Sequence, residues 1–307
     1  MKAIRIHTLG APEVLTLEDT PRPEPKAGEV LIRVKAASVN PVDYKIRSGQ
    51  FMKGKIPLPT TLGRDVAGLI EAVGPGVTTF KTGDEVYAFL AAESGGYAEF
   101  AVAKENEVAP KPASLDFVQA AAIPLAAETA WQALFDHGQL KAGETVLIHG
   151  AGGGVGHLAV QFAKAKGARV IATASGADVE LVRKLGADEV IDYKAKPFDQ
   201  AMREVDLVID LIGGETQTKS WKVLKDGGRM VSTLQPPSQE EAQRKHAQAK
   251  VFMAEAHAEQ LREIGQLIDQ GKVRVVISGT LPLAQAKEAH EQMEHEHTQG
   301  KLVLTVA

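Results

Sequence analysis

The chain has 307 residues, 44% of them apolar and 24% charged, with a formal net charge of −4, enough apolar material for two cored domains with a solvated surface. It contains no cysteine, which excludes disulfides, thiolate nucleophiles and cysteine-ligated zinc, and it carries no basic block, so nucleic acid is not the expected partner. The most apolar run, Ala120 to Ala127, is short and broken by Pro124, and the opening MKAIRIHTLG alternates like a strand and not like a signal peptide; no membrane span and a cytoplasmic location are expected.

Up to about Pro112 the chain reads as β-rich. Alternating runs predict strands over Lys2–His7, Val14–Glu18, Glu29–Ala37, Val66–Val73, Glu85–Phe89 and Tyr97–Val102. Turn signals separate them at Gly28, Gly49, Gly63, Pro75-Gly76, Gly83-Asp84 and Gly95-Gly96. Many short strands with regular turns predict a compact barrel-like domain, and Pro21, Pro23 and Pro25 an extended connector. Near Ser114 the period lengthens. SLDFVQAAA predicts a helix with Ser114 as its N-cap, and a second helix is predicted over about 126–136, after Pro124.

The segment from Glu144 to Gly167 organises the second half of the chain. Thr145 to Ile148 is an apolar, β-rich run; Gly150, Gly152, Gly153, Gly154 and Gly156 crowd the next stretch. Val155, Leu158, Ala159, Phe162 and Ala163 then recur at helical spacing, and Gly167 stands where a C-terminal cap belongs. Strand, tight turn and helix is the order of a dinucleotide-binding βα unit, in which glycines permit the turn, the approach of backbone to pyrophosphate and the close packing of helix on strand. The best frame of the fingerprint is Ala151, Gly153, Gly156, with alanine replacing the first glycine. Ala151, Gly153, Gly154, Val155 and Gly156 are therefore the candidate phosphate-binding residues, their N–H groups aided by the helix dipole. The competing reading is an ordinary glycine-rich loop.

Strands and helices then alternate: Arg169–Ala174, helix Val179–Leu185, Glu189–Ile191, helix Phe198–Arg203, Asp206–Ile212, helix Thr216–Leu224, Arg229–Leu234. This pattern predicts a doubly wound parallel sheet. A polar helix over Gln239–Ala249, a short strand at Val251–Met253 and an amphipathic helix over Ala258–Gln270 come next. The tail from Lys272 is read as strand, helix Leu283–His295, and strand Leu302–Val306. His290, His295 and His297 stand among Glu294 and Glu296 and are read as a solvated helix end, not as a metal site.

Many segments in one order carry a family resemblance: SVNPVDYKIRSG (Ser38–Gly49), GRDVAG (Gly63–Gly68), VGPGVTTFKTGDEV (Val73–Val86), GGYAEFA (Gly95–Ala101), ETAWQAL (Glu128–Leu134), VLIHGAGGGVGHLAVQFAK (Val146–Lys164), LGADEVIDY (Leu185–Tyr193) and GKLVL (Gly300–Leu304). Over essentially its whole length the chain resembles the zinc-independent medium-chain dehydrogenases/reductases of the quinone oxidoreductase type. The resemblance implies an α/β protein: a GroES-like β-barrel catalytic domain, residues 1–115 with 272–307 returning to it, and an inserted doubly wound, parallel-sheet Rossmann domain over residues 116–271. It implies a cleft between them for nicotinamide and substrate, and a homodimer joined through the nucleotide-binding sheets, with Val251–Met253 as the candidate edge. Zinc-dependent relatives place a cysteine near Asn40 and a histidine near Arg64; neither is present, so no metal is expected.

An NAD-binding unit carries an acid about 20 positions past the fingerprint, at the end of the second strand, for the ribose 2′-hydroxyl. Here that strand ends Thr173, Ala174, Ser175, Gly176, and Asp178 comes later, at the expected start of a helix. In NADP-using relatives a serine at the Ser175 position and a tyrosine like Tyr193 border the 2′-phosphate. The arginine that many of them carry near Ala177 is missing, so Arg183 or Lys184 would have to reach in. The pattern favours NADP.

The same resemblance nominates the reacting groups. Asn40 is a candidate amide at the nicotinamide or the acceptor, against a polar turn residue before Pro41. Thr129 matches a threonine facing the nicotinamide, against a helix N-terminal cap. Quinone oxidoreductases often have a tyrosine two places after Asp43; here Tyr44 comes first and Lys45 holds that place, as in some plant alkenal/alkenone reductases. Lys45 is the candidate donor to an acceptor oxygen and Tyr44 the alternative proton donor, against a solvated surface lysine. Arg64 is a lesser candidate that could equally pair with Asp65 or Glu71; Asp43, Gly63 and Asp65 are read as structural. The expected activity is NADPH-dependent transfer of hydride to an electron-poor small molecule, a quinone or an α,β-unsaturated carbonyl, without zinc. The alternatives are an enoyl-thioester reductase, and a nucleotide-binding redox sensor or structural protein with little turnover.

Overall fold

A computed structural model of the chain describes residues 1–202 and 204–307. It divides into two compact units, the first of Met1–Leu125, Ala256–Gly271 and Val275–Ala307, the second of Ala126–Glu255 and Lys272–Arg274.

The first unit is built on the strand Glu29–Val39, whose apolar residues are buried along most of its length. It pairs antiparallel with Asp65–Val73, Phe100–Lys104 and Lys301–Thr305. The full sheet runs Ile277–Pro282, Lys301–Thr305, Glu29–Val39, Asp65–Val73, Glu85–Phe89, Val108–Pro110, with Phe100–Lys104 off this path. A smaller sheet joins Thr16–Asp19, Lys2–Ile6 and Thr60–Thr61. Ile4, Ile6, Val30, Ile32, Val34, Val66, Val86, Leu302 and Leu304 close the core between them.

Parts of this unit differ from the sequence expectation. The amphipathic helix Ala258–Asp269, expected in the nucleotide-binding domain, belongs here: it buries Leu261, Ile264 and Ile268, and the Leu261 carbonyl accepts from the Tyr87 phenol at 2.5 Å. Ser114 is not a helix cap. Its hydroxyl donates to Asp269 at 2.7 Å, and Asp116 caps the helix Phe117–Ala121 by accepting from the Gln119 N–H at 2.8 Å.

The second unit holds a six-stranded, wholly parallel sheet in the order Glu189–Asp192, Arg169–Ala174, Thr145–Ile148, Val205–Asp210, Leu224–Ser232, Gln248–Val251. This is the doubly wound order, and it puts the chain reversal beside the strand that feeds the glycine turn. The helix expected through Ala249 stops at Arg244, and the edge strand is Gln248–Val251. One helix covers Phe198–Ala201; Arg203, its expected last residue, lies outside the described residues. The helix Pro124–Trp131 continues as a π-helical segment, Gln132–His137. No helix among the described residues is long and apolar enough to cross a membrane.

Candidate active site

The strand Glu29–Val39 runs out at Asn40, and Pro41 starts the helix Pro41–Ser48, closed by Gly49 at φ +78°. Pro41 suits the first helical position because its missing N–H would have no partner there. Asp43 reaches back to accept from the Asn40 N–H at 2.8 Å and from the Tyr97 phenol at 2.9 Å. Its other oxygen has no partner among the described residues, and burial pushes this carboxyl up to about 6. Gly63 is required beneath this contact, since a Cβ there would stand 2.4 Å from the Tyr97 ring.

Asn40 is 2% exposed. Its amide nitrogen donates to Asp65 Oδ2 at 2.8 Å and its oxygen accepts from the Lys301 ammonium. Asp65 also accepts from the Ser38 hydroxyl at 2.7 Å and the Leu125 N–H at 2.7 Å, with Lys301 Nζ 3.7 Å away. Strand register makes this cluster: Ser38 lies opposite Asp65, and Leu302 opposite Val39.

Lys45 and Tyr44 are half-buried on the same helix. Neither side chain has a polar partner among the described residues. Burial, with the charge of Glu294, holds the Tyr44 phenol above its usual range. Arg64 takes neither of the partners expected for it. Its Nε donates to the Leu90 carbonyl at 2.7 Å and its guanidinium lies 4.9 Å over the Phe89 ring, while Glu71 pairs with Arg22 and Arg33. His290 departs from the solvated helix end that His295 and His297 do occupy. It is fully buried, 3.1 Å from Arg47, whose guanidinium also grips Glu294 at 2.8 Å; burial first, then Arg47, pulls His290 down to about 3, so it is neutral.

In the second unit the turn after Ile148 meets the close-approach test at Gly156. A Cβ there would lie 2.2 Å from the Gly150 carbonyl oxygen and 2.7 Å from Ala151 Cα. Gly153 is different: the nearest atom to its Cβ position is 3.5 Å away. Packing within the chain does not demand glycine there, as expected where a ligand's pyrophosphate approaches the backbone. Gly153, Gly154 and Val155 are the half-exposed part of the turn, whereas Ala151 is buried. Among the described residues the Gly154 and Val155 N–H groups donate to no other backbone group, which leaves them for an anion.

At the end of the next strand Ser175 donates to the Tyr193 hydroxyl at 3.0 Å, and Tyr193 is 52% exposed. Asp178 does start its helix, but its carboxylate is buried and turned back against Gly152. Arg183 and Lys184 lie 4.0 and 3.5 Å from Glu180 on the same helix. Thr129 sits inside the helix Pro124–Trp131 and is nearly buried, so it is not the N-terminal cap. The sequence reading passed over His149, just before the turn. Ser220 donates to the Thr216 carbonyl at 2.7 Å, so it accepts from His149 Nε2 at 2.9 Å, and Thr173 then donates to Nδ1 at 3.0 Å. Burial lowers this imidazole to about 4, so it is a neutral strut and no titrating base near neutral pH.

Ser38, Tyr97 and Lys301 were also missed as site residues. Each stands in a segment that carried the resemblance, SVNPVDYKIRSG, GGYAEFA and GKLVL. Strand pairing brings Ser38 and Lys301 to Asp65, and backbone bonds to Leu62 and Ile4 hold the bend that turns Tyr97 onto Asp43.

These features define a two-unit, nucleotide-dependent oxidoreductase, and the comparisons with known proteins agree. The family model described as "Alcohol dehydrogenase GroES-like domain" matches residues 26–113, and that described as "Zinc-binding dehydrogenase" matches residues 185–304. Quinone oxidoreductase of Rattus norvegicus is 37% identical, over 99% of this chain and 97% of its own. The chloroplastic NADPH-dependent alkenal/one oxidoreductase of Arabidopsis thaliana is 38% identical, over 99% of this chain and 79% of its own. The solved quinone oxidoreductase of Coxiella burnetii superposes with a TM-score of 0.92 at 39% identity, covering 100% of this chain and 99% of that one. The chain belongs to the quinone oxidoreductase family of the medium-chain dehydrogenases/reductases.

The zinc named in one family description does not find its ligands at Asn40 and Arg64. The Asn40 oxygen already faces the Lys301 ammonium, Arg64 is itself a cation, and among the described residues no group of three or more histidine, cysteine or acidic side chains could hold a metal.

Proposed function

We propose that this chain is an NADPH-dependent reductase of quinones or α,β-unsaturated carbonyls, working without zinc. The observation that carries this reading is the uncommitted Lys45 ammonium, half-buried one turn into the helix that Asn40 begins. The Gly154 and Val155 N–H groups bind the pyrophosphate, and Ser175 and Tyr193 border the ribose 2′-phosphate, with no carboxylate at the strand end Ala174, Ser175, Gly176 to repel it. Thr129 faces the nicotinamide. NADPH, when bound, supplies the hydride to an activated carbon or a quinone oxygen. Lys45 stabilises the negative charge that develops on the acceptor oxygen, where a fixed cation is worth more than in water. Tyr44 is the alternative proton source: its raised phenol stays protonated throughout the neutral range. Zinc-free catalysis is supported by the lack of cysteine and by what Asn40 and Arg64 already hold.

The proposal includes a homodimer and a cytoplasmic location. The edge strand Gln248–Val251, which ends in the exposed Val251 with exposed Met253 just beyond it, has no partner on its outer side among the described residues, and a second copy of the same edge would cover it. Light scattering at micromolar concentration should give twice the chain mass. The function is tested by following NADPH absorbance with a simple quinone, an enone and an enoyl thioester, before and after exhaustive chelation. Steady consumption with the first two, unchanged by chelation, is expected. Turnover confined to the thioester identifies an enoyl-thioester reductase; tight NADPH binding with no turnover identifies a sensor.

A further inference from the structure

Lys301 plays no part in the proposed chemistry, yet it is 2% exposed, which is unusual for a lysine. Strand pairing brings it there. Leu302 pairs with Val39, and carrying this antiparallel register one residue further sets Lys301 against Asn40. Its ammonium donates to the Val39 carbonyl at 3.3 Å and to the Asn40 amide oxygen, and it stands 3.7 Å from Asp65 Oδ2. On the opposite side of the amide, the Asn40 nitrogen donates to that same carboxylate oxygen at 2.8 Å. Turning the amide over would set its NH2 against an ammonium and its oxygen against a carboxylate. Two charge-assisted hydrogen bonds would become two repulsions in a water-poor interior.

We infer that Lys301 is a positioning residue, which together with Asp65 locks the Asn40 amide in one orientation and makes Asn40 a pure donor. The amide oxygen is occupied by a cation and one Nδ2–H by a carboxylate; the second Nδ2–H has no partner among the described residues. The group it serves is therefore an acceptor of hydrogen bonds, a carbonyl oxygen of the electron-poor substrate or of the nicotinamide carboxamide. A donor fixed in advance needs no reorganisation when negative charge develops on that oxygen. This inference rests on the reading that Asn40 faces the reacting groups.

The experiment is a double-mutant cycle of Lys301→Met and Asn40→Ala, read by kcat per folded protein, NADPH dissociation constant and exchange of the Asn40 side-chain amide protons without cofactor. Lys301→Met should lower kcat about tenfold or more by misplacing one donor. It should speed the amide exchange and cost nothing further in the Asn40→Ala background. Losses that add in the double variant, a normal kcat, or unchanged exchange overturn the inference. An Asn40→Ala variant of normal kcat removes the Asn40 reading and the inference with it; a slow Asn40→Ala beside a normal Lys301→Met removes the inference alone. Leaving Asp65 as an unpaired buried charge can unfold a protein. If Lys301→Met does not fold, Lys301→Met with Asp65→Asn, neutral on both sides, carries the same comparison, with the same loss expected and the same abolition by Asn40→Ala.

Discussion

Around Asn40 the first unit buries Asp43, Asp65 and Lys301 within one hydrogen-bonded cluster, whereas the glycine turn of the second unit offers a ligand backbone N–H groups and the hydroxyls of Ser175 and Tyr193. Charge in the first region fixes the orientation of a single amide, because each face of that amide meets a group of opposite polarity. In the second region, the proposed anion site rests on backbone geometry, and side chains matter there chiefly by what they would block. Substitutions should therefore act differently: in the second unit by adding atoms, in the first by removing charges.

The largest effect is expected from Gly156→Ala. The added Cβ would meet the Gly150 oxygen at 2.2 Å and Ala151 Cα at 2.7 Å, both backbone atoms that no side-chain rotation can move away. Overpacking of this kind costs about 1–3 kcal/mol or more, and the turn must shift to relieve it. NADPH binding should fall at least about a hundredfold by fluorescence titration if that strain is released at the turn. Gly153→Ala sharpens the point, since its Cβ has room within the protein: the cofactor-free fold should keep its melting temperature and still lose affinity.

Next in size is Lys45→Met, which keeps the stem and removes the charge. If the ammonium meets the acceptor oxygen, turnover should fall on the order of a hundredfold with NADPH affinity nearly unchanged. Tyr44→Phe is its control. A slow Tyr44→Phe beside a normal Lys45→Met would move the proton donor to the phenol; weakened NADPH binding at full saturated rate would make Lys45 a cofactor anchor.

A smaller effect is expected at Ser175, where Ser175→Asp puts a carboxylate beside Tyr193. It should reverse the order of NADPH and NADH dissociation constants, because the carboxylate repels the 2′-phosphate and accepts from a 2′-hydroxyl. Equal constants for the two cofactors in the unmodified protein would remove the basis of the comparison.

The smallest effect concerns pH and belongs to the buried charges alone. Asp43 is pushed up to about 6 by burial, against about 3.9 for an exposed aspartate. Between those values the folded state holds more protons than the unfolded one, so stability falls as pH rises from about 4 to about 6. Asp43→Asn should flatten that slope in urea unfolding curves, with the difference from the parent protein confined to that window. A parallel slope in both proteins would mean that Asp43 is ionised throughout.

Periodicity in the sequence accounts for much of this protein's architecture. The strand Thr145–Ile148, its glycine turn, its helix and the alternating elements after it come from local spacing, because a βα unit is built from residues close in sequence. The short helix Pro41–Ser48 was not predicted as an element, since its residues are mostly polar and only Ile46 is a deeply buried apolar side chain. Helix Ala258–Asp269 shows its apolar stripe in the sequence but not the sheet it covers. Its membership in the first unit depends on Tyr87 and on Asp269, which meets Ser114 some 155 positions away.

The candidate site divides along the same line. Lys45, Asn40, Tyr44, Ser175 and Tyr193 could be named from segments whose order marks the family, and the turn residues from spacing alone. That Asn40 is held between Asp65 and Lys301 depended on three strands meeting in register, with Lys301 distant from Asn40 by 261 positions. His290 was misread for the same reason: it looked like part of a solvated helix end beside its sequence neighbours, yet it is buried against Arg47, a partner the fold supplies; Arg64, which could equally have paired with Asp65 or Glu71, gives its Nε–H to the Leu90 carbonyl instead. Local sequence determines where the chain turns and which faces are apolar. Which buried charges meet is decided by tertiary pairing, because an ion taken out of water is tolerated only where a distant partner arrives to compensate it.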